Sequence, residues 1–133
     1  MTDTPEQRFQ DHDREWQKAI CSIEDNTHAQ FKLRDEIGYA DKRIGEMEAD
    51  TLAVVAEEWT KQERKPNNAD DRKAEASKRL KVHGPYLDAV KDRIEKNKTL
   101  MAHGATAARL NEEMRRHRAN MAWLTATVQA TFQ

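Results

Sequence analysis

One cysteine, Cys21, occurs among 133 residues, so no intrachain disulfide can hold the fold and no cysteine-based zinc knuckle can form. A small, half-buried thiol is expected there. The four glycines are scattered, which excludes the glycine-rich loops that cradle nucleotide phosphates. Prolines number three, and their rarity leaves long stretches free to be helical. No apolar run approaches the roughly 20 residues that span a bilayer, and Met1 to Gln10 is too polar for a secretory signal. A cytoplasmic protein without a membrane segment is expected.

Catalytic groups are equally scarce. Acid–base, nucleophilic or metal-assisted chemistry needs a nucleophile with a base, a carboxylate pair in a cleft, or ligands at fixed spacing. His12, His28, His83, His103 and His117 show no HExxH pairing, and Glu113 with His117 is an ordinary i, i+4 helix pair. No metal site, cofactor or enzymatic activity is expected.

What the sequence has in abundance is charge on a helical period. Charged residues make up 35% and apolar residues 37%, with a mean hydropathy of -1.05, a balance nearer to coiled coils than to a thick globular core. The length suits a single domain over 1–133. Thr4-Pro5-Glu6 reads as a helix start, with a capping hydroxyl, a proline at the first helical position and an acidic first turn. A first helix is expected over about 5–22. Asp25-Asn26-Thr27 then caps a second helix over about 27–64 or is only a kink in a longer one.

Leu33, Ile37, Ala40, Ile44, Met47, Thr51 and Val54 alternate steps of four and three, which lines one stripe along several turns. Gly38 and Gly45, one heptad apart beside that stripe, are either tolerated surface glycines or points of close helix approach. Pro66 with Asn67-Asn68 marks a loop, and Asn68 or Asp70 can cap a short helix over about 69–82. His83-Gly84-Pro85 stops that helix and starts a last one over about 85–131. Its apolar series is Leu87, Val90, Ile94, Met101, Ala105 and Ala108, then Leu110, Met114, Met121, Leu124 and Val128.

No strand-like alternation appears. The fold class predicted is all-α: an elongated antiparallel helical hairpin, coiled-coil-like, of two long helices with two shorter ones. Leu52, Val55 and Trp59 make a second stripe beside the first, wider than one hairpin partner covers. Association is therefore expected, with Trp16, Ile37, Ile44, Leu52, Val55, Trp59, Met114, Met121 and Leu124 as interface candidates and a homo-oligomer as the leading arrangement.

The net charge of -1 hides two opposed halves. Residues 1–60 hold 7 Lys and Arg against 15 Asp and Glu, a net of -8, whereas residues 61–118 hold 16 against 9, a net of +7. Candidate phosphate contacts are Lys61, Arg64, Lys65, Arg72, Lys73, Lys78, Arg79 and Lys81 around the connector, then Arg109, Arg115, Arg116 and Arg118. The competing explanation is internal: acidic and basic helices attract one another, and Glu112 pairs with Arg116. Only Tyr86, Trp123 and Phe132 are aromatic in the basic half, too few for an evident base-stacking platform.

Asp71-Arg72-Lys73-Ala74-Glu75-Ala76, followed by a long helix carrying Arg109-Leu110-Asn111-Glu112-Glu113-Met114-Arg115-Arg116-His117-Arg118, resembles small helical phage-encoded accessory proteins. In size and charged helical character the chain is similar to the UvsY-type recombination mediators, over about its C-terminal half. That resemblance implies a ring-like homo-oligomer that binds single-stranded DNA and helps load a recombinase, in the host cytoplasm.

Function is accordingly expected to be non-enzymatic: an oligomeric accessory protein binding single- or double-stranded nucleic acid, or a nucleoprotein, through the basic segment. The alternatives are a protein-binding adaptor or inhibitor of a host enzyme, and a self-assembling structural component.

Overall fold

The computed structural model describes residues 4–131. It contains three helices, α1 (Pro5–Lys61), α2 (Ala69–Leu80) and α3 (Gly84–Thr131), and no strand among the described residues. None of the helices is long and apolar enough to cross a membrane.

Local chemistry sets most of the ends. Thr4 and Gln7 form a reciprocal cap: the Thr4 hydroxyl accepts from the Gln7 N–H at 3.2 Å, and the Gln7 side chain accepts from the Thr4 N–H at 3.0 Å. Asn68, not Asp70, caps α2 by accepting from the Asp71 N–H at 2.8 Å. Asp70 and Asp71 then sit in its first turn and Lys78 and Arg79 in its last, both signs matched to the helix dipole.

The expected break at residues 22–27 is absent, so there is one short helix and not two. Asn26 is the reason. Its side chain is buried, 7% exposed, and its oxygen accepts from the Gln30 amide four residues on at 2.6 Å, which props up the helix interior instead of capping a new start.

α1 stops at Lys61, three residues before the expected end. Glu63 adopts a left-handed conformation (φ 49°), the Arg64 N–H donates to the Trp59 carbonyl at 3.1 Å, and the Glu63 N–H donates to the Thr60 carbonyl at 3.2 Å. That pair of bonds is a Schellman stop, a position where glycine is the usual occupant. Glu63→Gly is therefore expected to stabilise the protein by about 1 kcal/mol, read as a raised urea midpoint with unchanged m-value.

The described residues fall into two compact units. The first comprises the described residues of Met1–Lys32 and Leu100–Gln133. In it Ala19, Asn26, Leu110 and Leu124 are buried, while Trp16, Ile23, Met114, His117, Met121 and Val128 are half-buried. The steps of three and four between successive seam residues on each helix are what two helices packed along one stripe require.

The second unit is Leu33–Thr99. Its α1–α3 contacts run antiparallel: Glu36 meets Lys96, Asp41 meets Arg93 and Glu48 meets Tyr86. Leu87 and Ile94, expected in the apolar stripe, are 45% and 47% exposed; farther along α3, Met101 is 69% exposed. They lie one position off the seam. The three-four pattern through Leu110, Leu124 and Met114, carried back along α3, reaches Lys96, Arg93 and Tyr86 instead, and those polar side chains meet α1 carboxylates.

The second stripe of α1 has a partner in the chain. Val55 (0% exposed) and Trp59 (4%) pack against Ala76 of α2, with half-buried Leu52 at the edge. The excess apolar width that suggested an oligomer interface is thus covered by α2. Gly38 and Gly45 have open space where a Cβ would be, so none of the described residues approaches them closely there, and Cys21 is exposed, not half-buried.

Candidate nucleic-acid interface

The candidate cations divide between the two units. Lys61 to Lys81 gather on the α1–α2 connector and α2, in the second unit; Arg109, Arg115, Arg116 and Arg118 belong to the first. Within residues 61–83, eight Lys and Arg stand against four Asp and Glu, so the connector region carries +4.

Several of these cations are already engaged. Arg79 is fixed between two carboxylates, Glu58 of α1 at 2.7 Å and Glu75 at 3.3 Å. The Glu58 hydrogen bond first, and the Glu75 bond second, raise its pKa further above the ordinary arginine value. Arg72 donates to the Asn67 carbonyl and side-chain oxygens at 3.1 and 2.9 Å, stitching the connector to α2. Lys61 pairs with Glu57 at 2.9 Å. The Arg64 guanidinium lies over the Trp59 ring, 4.0 Å from its centroid.

Lys65, Lys73, Lys78 and Lys81 differ: all four are exposed, and none has a carboxylate partner among the described residues. Three of them project from or just beyond α2: Lys78 and Lys81, three apart, share one side of it, and Lys73, five before Lys78, stands on its other flank beside Leu52. In the first unit Arg109 and Arg116 are exposed, and Arg118 sits 5.8 Å from the Trp16 ring centroid. Arg115 pairs with Glu112 at 3.5 Å, three residues away; the expected Glu112–Arg116 pair is not formed.

Internal attraction accounts for part of the charge asymmetry. Asp41–Arg93, Glu36–Lys96 and Glu58–Arg79 each join an acid of α1 to a base of α2 or α3. Lys96 is held protonated to higher pH, by Asp92 first and Glu36 after it. The Tyr86 hydroxyl donates to Glu48 at 2.8 Å, and that bond raises the phenol pKa, because ionising would set two negative charges side by side.

The nine apolar interface candidates all lie in seams. Trp16, Ile37, Ile44, Leu52, Met114 and Met121 are half-buried, and Val55, Trp59 and Leu124 are buried. Of the basic-half aromatics, Tyr86 is half-buried and engaged with Glu48, Trp123 is 63% exposed, and Phe132 lies outside the described residues. His12 and His117 meet edge to face at 6.3 Å between ring centroids, with His117 Nδ1 buried and unpartnered. Among the described residues no cluster of three or more His, Cys, Asp or Glu is placed to hold a metal.

Sequence reasoning assigned Trp59 to the acidic half and to a packing face. The structure keeps it in the core but sets one ring face under Arg64, beside Lys78 and Pro66. The signal was there in the spacing: Trp59 stands two residues before Lys61, where the basic segment begins, and a Schellman stop pairs positions five apart.

Compared with protein-family models, curated proteins and solved structures, the chain matches none.

Proposed function

We propose that this chain is a non-enzymatic, cytoplasmic, homo-oligomeric accessory protein, a coiled-coil-like helical hairpin that binds nucleic acid or a nucleoprotein through the connector and α2. The observation that carries this reading is the group of unpaired lysines, Lys65, Lys73, Lys78 and Lys81, left over after the other connector cations are satisfied. Free, exposed ammonium groups on one short segment are what phosphate contacts use, and releasing counterions from the nucleic acid supplies the driving force. A role like that of the UvsY-type mediators fits within this reading, with single-stranded DNA as the ligand.

Fluorescence anisotropy at low salt, with labelled single- and double-stranded DNA and RNA, tests it. The triple variant Lys73→Glu, Lys78→Glu, Lys81→Glu is expected to lose on the order of 100-fold affinity near 0.1 M salt, with the slope of log K against log salt reduced by about 3. Absence of binding by the wild-type protein to every probe ends the proposal.

A second reading, a protein-binding adaptor or a self-assembling component, is favoured by the exposed apolar residues Leu87 and Ile94, one heptad apart on α3 in the second unit. Light scattering coupled to size exclusion, with and without DNA, separates the two: self-association abolished by Ile94→Asp, in a protein whose mass does not change when DNA is added, supports the second.

A further inference from the structure

We propose that the cavity beside Trp59 is a subsite for one unstacked nucleobase of a single-stranded nucleic acid. The cavity, about 300 Å³, is lined by Trp59, Arg64, Pro66, Ala74 and Lys78, together with two carboxylates, Asp71 and Glu75. This deepens the function proposed above and rests on it.

Three features of the cavity choose a base over a phosphate. An indole ring forms one wall, and a planar aromatic heterocycle is the ligand that stacks on it. Asp71 and Glu75 would repel a phosphate inside, yet they suit a neutral base: Asp71 is anchored by the Asn68 amide at 2.9 Å and Glu75 by Arg79, and carboxylate oxygens accept from exocyclic amino groups. Positive charge is near as well: Lys78 lines the cavity, and Lys65, between the lining residues Arg64 and Pro66 in the chain, is exposed, so both can take the flanking phosphates.

Arg64 is the lid. It covers the Trp59 face from an exposed position, and an exposed cation–π contact is worth only a factor of about 2 to 5. Base-on-aromatic stacking is worth about 5- to 150-fold per base, so the exchange favours the base. The displaced guanidinium then gains a phosphate to contact, which a duplex, whose bases are already stacked, cannot arrange.

The full-length protein at low salt is titrated with oligodeoxycytidylate and with a duplex of equal length, following anisotropy and tryptophan emission together. Oligodeoxycytidylate is expected to quench emission in step with binding and to bind about 10-fold more tightly than the duplex. Trp59→Phe should remove that quench. Because Trp59 is also a core residue, Ala74→Leu, which fills the exposed side of the cavity, serves as the second variant: it should lose the quench and about 10-fold single-strand affinity while keeping wild-type circular dichroism. Arg64→Ala should keep the quench, since the lid is removed and the wall remains.

If Ala74→Leu binds and quenches as wild type does, or if Arg64→Ala abolishes the quench while remaining folded, the subsite is wrong and the basic-segment reading survives. No anisotropy change with either nucleic acid overturns both.

Discussion

Trp59→Ala is expected to destabilise the protein by about 3–5 kcal/mol, the largest effect of any single truncation in the second unit. Trp59 is 4% exposed and shares its small core with Val55 and Ala76, with Leu52 at the edge, so few neighbours can collapse into the space it leaves. The same change removes the surface over which Arg64 lies, which loosens the contact joining helix stop to connector. Urea unfolding followed by circular dichroism measures it. A loss below about 1 kcal/mol would mean that α2 does not cover the α1 stripe.

Leu110→Ala carries the second large expectation, about 2–5 kcal/mol, for a different reason. Leu110 is 6% exposed in the first unit, where the seam is diluted by Ala19, Asn26 and His117, so one of its few large buried aliphatic side chains is lost. Met101→Ala on the same helix is the contrast. That side chain is 69% exposed, and its truncation should fall within about 0.5 kcal/mol. Near-equal effects for the two would show that the seam register along α3 is wrong.

Much of the fold was legible because its determinants are local. The caps at Thr4 and Asn68 depend on side chains within three residues of the groups they satisfy, and the helical period of α1 from Leu33 onward is written in steps of three and four. The Asn26 position misled for a related reason. An asparagine after an aspartate has the composition of a cap, and only the burial supplied by a neighbouring helix makes it a seam residue.

The candidate interface was legible as a list of cations but not as a surface. Composition located the +7 stretch, yet Arg79, Arg93 and Lys96 look in sequence much like Lys73, Lys78 and Lys81. Which of them remain free depends on carboxylates 21 to 60 residues away, Glu58 for Arg79, Asp41 for Arg93 and Glu36 for Lys96. Trp59 entered the picture the same way, through a ring face that a helix stop placed beside a second helix.

Helical class, absence of a membrane-crossing helix, most helix starts and the opposed charge of the halves were decided by the sequence itself, since propensity, capping and composition act within a few residues. The tertiary structure decided which apolar residues are covered, that α2 and not a second molecule occupies the Trp59 stripe, and which lysines are left unpaired. Those outcomes turn on contacts between segments far apart in the chain, where a shift of one position along a helix turns a side chain by about 100° and exchanges core for solvent.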